Sequence, residues 1–367
     1  MNNPNNPSKI SESAPEAIRS RKENQNTGNK TVEVAVQKKA KISLSPKVVM
    51  KDFTDCYSLS EINADQKYVK ATESRIGIDS NEQKLAKDFE RFFIHGVLNG
   101  GWLGRRDTNG ITAAAAPTCK YDDYKNRIDV FSSLYHRSEK DGKLYASTIG
   151  IDVTISGDKG TIMDKLTRTS NDNVKRSFGF SKLKYFTNGR DRYPIENIPR
   201  YVIGVSSYDV KDIQELTKFD PRTGLLNFNT GSVKNLEYRF KVLSEMYTEN
   251  QLYLSKKPKE LTSDAEKKAY DKLINMDSQL KQALLRASKE IARKGYLGVP
   301  SNLEGDKLIS AIEAKIISKS KQYFEEEKKE LRLKRPDLDL NSKTHTDTYV
   351  QIITCARELM KTPPASH

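Results

Sequence analysis

The sequence predicts an α/β unit followed by a bundle of helices. Three patterns lead there. Short apolar runs rich in β-branched residues, at 127–135, 144–155 and 200–206, read as strands. Stripes with three-and-four spacing at 80–98 and 161–169 read as helices beside them. From about residue 233 onward only helical spacing remains.

The chain's 367 residues are enough for two units and a tail. Residues 1–45 are rich in Asn, Ser, Lys and Pro and are expected to form a disordered basic tail. The α/β unit is expected over 46–225 and the helical unit over 233–367. Lys and Arg number 63 against 49 acids, a formal charge of +14. That balance points to a polyanionic partner, foremost nucleic acid, beside the plainer reading of a lysine-rich solvated surface. Cys56, Cys119 and Cys355 have neither zinc spacing nor the look of a disulfide framework, so a reducing cytoplasm is expected. No apolar run approaches membrane-spanning length, and no signal-peptide core opens the chain.

In chain order, the first helix is capped by Ser80 or Asn81 and carries Leu85, Ala86, Phe89, Phe92, Phe93, Gly96 and Val97 on one stripe. Glu82 projects onto that stripe in the first turn, Glu90 lies at its edge, and Asn99-Gly100-Gly101 stops the helix. Trp102-Leu103-Gly104 is read as a short strand, Asp107-Thr108-Asn109-Gly110 as a turn, and Ala113–Ala116 is left unassigned. Arg127–Tyr135 and Leu144–Ile155 form a hairpin around the turn at Glu139–Lys143. Thr161–Thr169 is helical, with Ile162, Met163 and Leu166 inward. Leu183–Phe186 is a short strand, and Arg200–Ser206 a strand buried on both faces. A helix over Asp209–Phe219 follows. Beyond it come four helical stripes, marked by Leu236, Leu273, Ile312 and Ile352; a capping box at Ser263–Glu266 opens the second. The charge run from Phe324 to Arg335 is a solvated helix face or linker.

Two aspartates carry the chemistry. Asp129 and Asp152 each sit in an apolar strand, where a carboxylate is poor material and costs free energy unless paired. Brought together, they form a negative site that a hard cation such as Mg²⁺ or Mn²⁺ neutralises. Just upstream, Asp122 and Asp123 either add a ligand, Asp123 being the candidate, or shape a turn.

The order of helix, strand with Asp, strand with Asp, helix, strand resembles the PD-(D/E)XK nuclease superfamily, with its restriction-endonuclease-like and Holliday-junction-resolvase-like branches, over residues 80–206. The resemblance implies a restriction-endonuclease-like mixed sheet flanked by helices. It also implies a divalent metal that activates water for phosphodiester cleavage. Glu82 then matches the acid on the first helix, with Glu90 taking that place if the register differs. Asp129 matches the first strand acid, and Asp152 the acid of the D/E-x-K element. This chain departs from the pattern at Thr154, which stands where the lysine should be. Thr154, or Lys159 at the start of the next helix, would then position the water.

Other chemistries find no motif. His95, His136, His345 and His367 lack ligand spacing, and neither a phosphate loop nor a dinucleotide fingerprint is present. Lys175, Arg176, Lys182 and Lys184 alternate with aromatics and can pair phosphates while bases stack, or else blunt a strand edge. The expectation is thus a metal-dependent nuclease acting on nucleic acid, DNA before RNA. The alternatives are an inactive nucleic-acid-binding or assembly protein on the same scaffold, and a helical interaction scaffold.

Overall fold

The computed structural model describes residues 48–76, 81–103, 114–137, 144–155, 157–171, 180–187, 191–220, 225–256, 261, 263–334 and 347–362. The 1–45 segment, the turns at 107–110 and 139–143, and Lys175 and Arg176 lie outside them.

The core of the fold is a five-stranded mixed sheet in the order β1-β2-β3-β5-β4. Its strands are β1 (Ala115–Pro117), β2 (Val130–Arg137), β3 (Leu144–Thr154), β4 (Phe180–Thr187) and β5 (Arg192–Gly204). Pairing is antiparallel except between β3 and β5, which run parallel with Asp152 beside Val202. The helices that precede or interleave with the strands are α1 (Leu59–Ile76), α2 (Asn81–Leu98), α3 (Lys120–Asn126), α4 (Lys159–Asn171) and α5 (Ser207–Leu216). A hairpin, β6 (Thr217–Asp220) with β7 (Leu225–Phe228), leads into α6 (Val233–Ser255), α7 (Asp264–Arg293), α8 (Gly305–Lys334) and α9 (Thr348–Lys361).

The helices α2, α4 and α7 follow the predicted stripes, and the capping box at Ser263 and Glu266 closes reciprocally. Several expectations are corrected. Trp102 and Leu103 form a turn, not a strand: Gly101 takes φ 68°, and the indole folds back onto Gly96. Its Nε1–H donates to Asn235 of α6 at 2.9 Å. The missing strand is β1, in the unassigned alanine run. Arg127 is a left-handed cap on α3 (φ 54°), so β2 starts three residues later than expected. The helix over 209–219 ends at Leu216 and gives way to β6.

One contiguous core joins the sheet to the later helices, from Phe89 and Phe93 of α2 through Ile149 and Ile151 to Leu243, Leu280, Ile312 and Ile352. Helix α6 is buried on almost every side, yet it carries Lys241, Glu245, Glu249 and Asn250 inward. The reason lies in β5. The described part of β4 accompanies β5 only as far as Pro199, so among the described residues the edge from Arg200 to Gly204 has no strand partner there. Helix α6 supplies one through side chains at i, i+4 and i+8. Glu245 accepts the Gly204 N–H at 3.3 Å, Glu249 accepts the Val202 N–H at 3.0 Å, and the Tyr253 hydroxyl donates to the Arg200 carbonyl at 2.7 Å. Buried backbone groups need such partners, and burial pushes both carboxyls well above the usual carboxylate range. Among the described residues no helix is long and apolar enough to cross a membrane.

Candidate functional site

The strand acids meet where β2 begins. The chain bends at Asp129, immediately before Val130 pairs with Ile151. The Asp129 N–H donates to the Ile151 carbonyl at 2.9 Å, and its Oδ2 accepts the Val153 N–H at 2.6 Å. Those two contacts bracket Asp152. The carboxylate of Asp129 therefore lies beside the strand segment that carries Asp152.

Helix α3 adds a third acid. Its two adjacent aspartates do opposite jobs. Asp122 is fully buried, accepts the N–H groups of Lys184 and Tyr185 at 2.8 and 2.9 Å, and ties α3 to β4. Asp123 points the other way and shares a hydrogen bond with Asp129. Helix α2 adds the fourth acid, Glu90, whose neighbours include Asp129 and Asp152. Among the described side chains of α2, Glu90 is thus the acid beside the strand aspartates. For Glu82 the structure gives a backbone position in α2, and its side chain lies outside the described residues.

Crowding of like charges shows in the titration of these groups. Burial, then Asp129, pushes Glu90 up to about 8, opposed by Lys87. Burial raises Asp123 to about 6, with Glu90 and Asp152 adding to the shift and the Asp129 hydrogen bond opposing it. Burial and the charge of Asp152 raise Asp129 well above the carboxylate range. Two carboxylates that approach closely cannot both ionise cheaply.

The cation in this group is Lys165. Its Nζ lies 2.8 Å from Asp152 Oδ1 and 3.2 Å from the Val153 carbonyl. It reaches inward because Ile162, Lys165, Leu166 and Thr169 recur at i, i+3, i+4 and i+7 along α4. Three of those four are buried, so the lysine shares the core-facing stripe. A lysine set within an apolar stripe was the available signal, and the expected spacing of two residues after Asp152 drew attention away from it.

Lys159 pairs with Glu358 of α9 at 2.9 Å and joins α4 to that helix. Thr154 is buried two residues beyond Asp152, and its carbonyl accepts the Val205 N–H at 3.1 Å. Lys182 is exposed on β4. Lys184 is taken up by Asp65 at 2.6 Å and lies over the rings of Tyr57, Tyr121 and Tyr185.

The four carboxylates are hard oxygen donors, the kind that Mg²⁺ and Mn²⁺ take. Among the described residues no three His, Cys, Asp or Glu side chains converge closely enough to hold a metal ion as they stand. The donor set fits the ion in kind, and the repulsion stored in it is what a cation relieves. Compared with family models, curated proteins and solved structures, the chain matches none.

Proposed function

We propose that this protein is a divalent-metal-dependent nuclease with a restriction-endonuclease-like core, acting on DNA or RNA in a reducing cytoplasm. The observation that carries the reading is the meeting of Asp129, Asp152 and Lys165 at one end of the sheet. It is supported by Glu90 and Asp123 beside them, by the formal charge of +14, and by the free state of all three cysteines.

In this reading Asp129 and Asp152 hold Mg²⁺ or Mn²⁺, with Asp123 or Glu90 completing the oxygen set. When bound, the metal lowers the pKa of a water and offsets charge on the scissile phosphate. The chain's own residues do the rest. Lys165, 2.8 Å from Asp152, stands in for the absent D-x-K lysine. Its ammonium has donors to offer a phosphate oxygen or the attacking water. Glu90, protonated near neutrality, is able to give or take a proton at the recess.

The test is cleavage of plasmid, single-stranded and branched DNA and of RNA with Mg²⁺ or Mn²⁺. Wild-type protein should cut at least one substrate, and Asp152→Ala and Lys165→Met should not. Absence of any cut, or equal cutting by the variants, defeats the reading.

The hydrogen bond between Asp123 and Asp129 favours a second reading, a nucleic-acid-binding protein on an inactive nuclease scaffold. That reading requires salt-sensitive binding that persists in Asp152→Ala without metal.

A further inference from the structure

The rim of the acid recess carries its own pattern. Lys120, Asp123 and Tyr124 lie at i, i+3 and i+4 on α3 and so share one face, the face that brings Asp123 to Asp129. Tyr124 is half-buried and has Asp123, Lys120, Glu73 and Lys87 as its charged neighbours. Lys87 stands on α2 one turn before Glu90 and is exposed. Two lysines and a tyrosine from two helices thus stand beside the acids. Lys120 is held by Glu73 of α1, in an ion pair whose side chains are 44% and 37% exposed. An exposed pair of this kind is weak and exchanges readily for a phosphate.

Resting on the nuclease reading, we infer that the substrate enters as an unpaired strand, with one base stacked on Tyr124 and adjacent phosphates on Lys87 and Lys120. Three observations carry this. Asp152 is recessed, being 8% exposed, so the backbone must dip to reach it, which a single strand does more easily than a stiff duplex. An aromatic ring at the rim offers a stacking surface that only an unpaired base can use. The two lysines supply positive charge next to the acids, where an anionic backbone needs it.

The experiment is fluorescence anisotropy with labelled 20-nucleotide single strands of DNA and RNA and a blunt DNA duplex of equal length, on the Asp152→Asn protein with Ca²⁺. Both single strands are arms of the test, and the tighter one identifies the sugar. The single strand should bind at least tenfold more tightly than the duplex. Adding Tyr124→Ala should weaken single-strand binding about tenfold, while Tyr124→Phe, which keeps the ring, should restore it. Replacing Lys87 and Lys120 by Ala together should lower the slope of log K against log salt by about 1.4, roughly 0.7 per lost phosphate contact. Equal binding of duplex and single strand, or no effect of Tyr124→Ala, overturns the inference. It falls alone if wild-type protein still cleaves in an Asp152-dependent manner; absence of cleavage on every substrate defeats the catalytic reading whatever the binding arms give.

Discussion

Lys165 Nζ lies 2.8 Å from Asp152 Oδ1, although 13 residues of strand, turn and helix separate them in the chain. Because α4 follows β3 directly and packs back on the sheet, a helix residue provides the charge that a strand residue was expected to bring.

Removing that ammonium should cost both activity and stability. Lys165→Met leaves Asp152 partly buried without its cation, a change expected to destabilise the fold by about 2 kcal/mol. Urea denaturation reads the stability and the cleavage assay the activity. Asp152→Asn with Lys165→Met should recover part of the stability and none of the cleavage.

The acid cluster sets a pH dependence of known sign. Glu90 holds its proton up to about pH 8 in the folded chain, against 4.5 for an unperturbed glutamate. Between these values the folded state binds the extra proton, so stability falls as pH rises through that window. Asp123 adds a smaller fall between 3.8 and about 6. The metal-free protein should therefore melt at a lower temperature at pH 8.5 than at pH 5.5, measured by circular dichroism. Glu90→Gln should flatten the profile. Mg²⁺ or Mn²⁺ should raise the melting temperature most at the alkaline end, where the acids are charged.

Asp122 and Asp123 should part company under mutation. Asp122→Ala strands the N–H groups of Lys184 and Tyr185 in the interior and should cost about 3 kcal/mol in chemical denaturation. Asp123→Asn removes a like charge from the cluster and should leave stability unchanged or higher. Its cost should appear in cation affinity, read by titration calorimetry.

The β5 edge yields a fourth expectation. Glu249→Ala leaves the buried Val202 N–H short of an acceptor, for a loss of about 2–3 kcal/mol. Glu249→Gln keeps an acceptor oxygen and should stay within about 1 kcal/mol of wild type, since burial already favours the uncharged acid. Equal losses for the two variants would refute this account of the edge.

Much of this was legible in the sequence, and the exceptions have physical causes. Strands β2 and β3 announced themselves because an Asp inside a β-branched run violates local preference. Helix α2 did so through its phenylalanine stripe. Helix α1 gave no such signal: its buried positions are Ile62, Asp65 and Val69, and the middle one is an acid that serves Lys184 and Tyr185. The two aspartates of α3 look equivalent in sequence, and only the direction each takes from a seven-residue helix separates them. Lys165 was hidden for a related reason. Its spacing from Asp152 is set by a turn and a packing angle, neither of which has a sequence period. Glu90 stands near the strand acids because of which turn of α2 lies over the sheet.

The partnership between α6 and β5 governs how the molecule can be dissected. A polypeptide cut before residue 233 would carry an orphaned strand margin, and such margins recruit neighbours of their own kind. Halves produced in isolation would then report self-association in place of the parent's behaviour. Point changes within the whole chain are the sound way to apportion its activities.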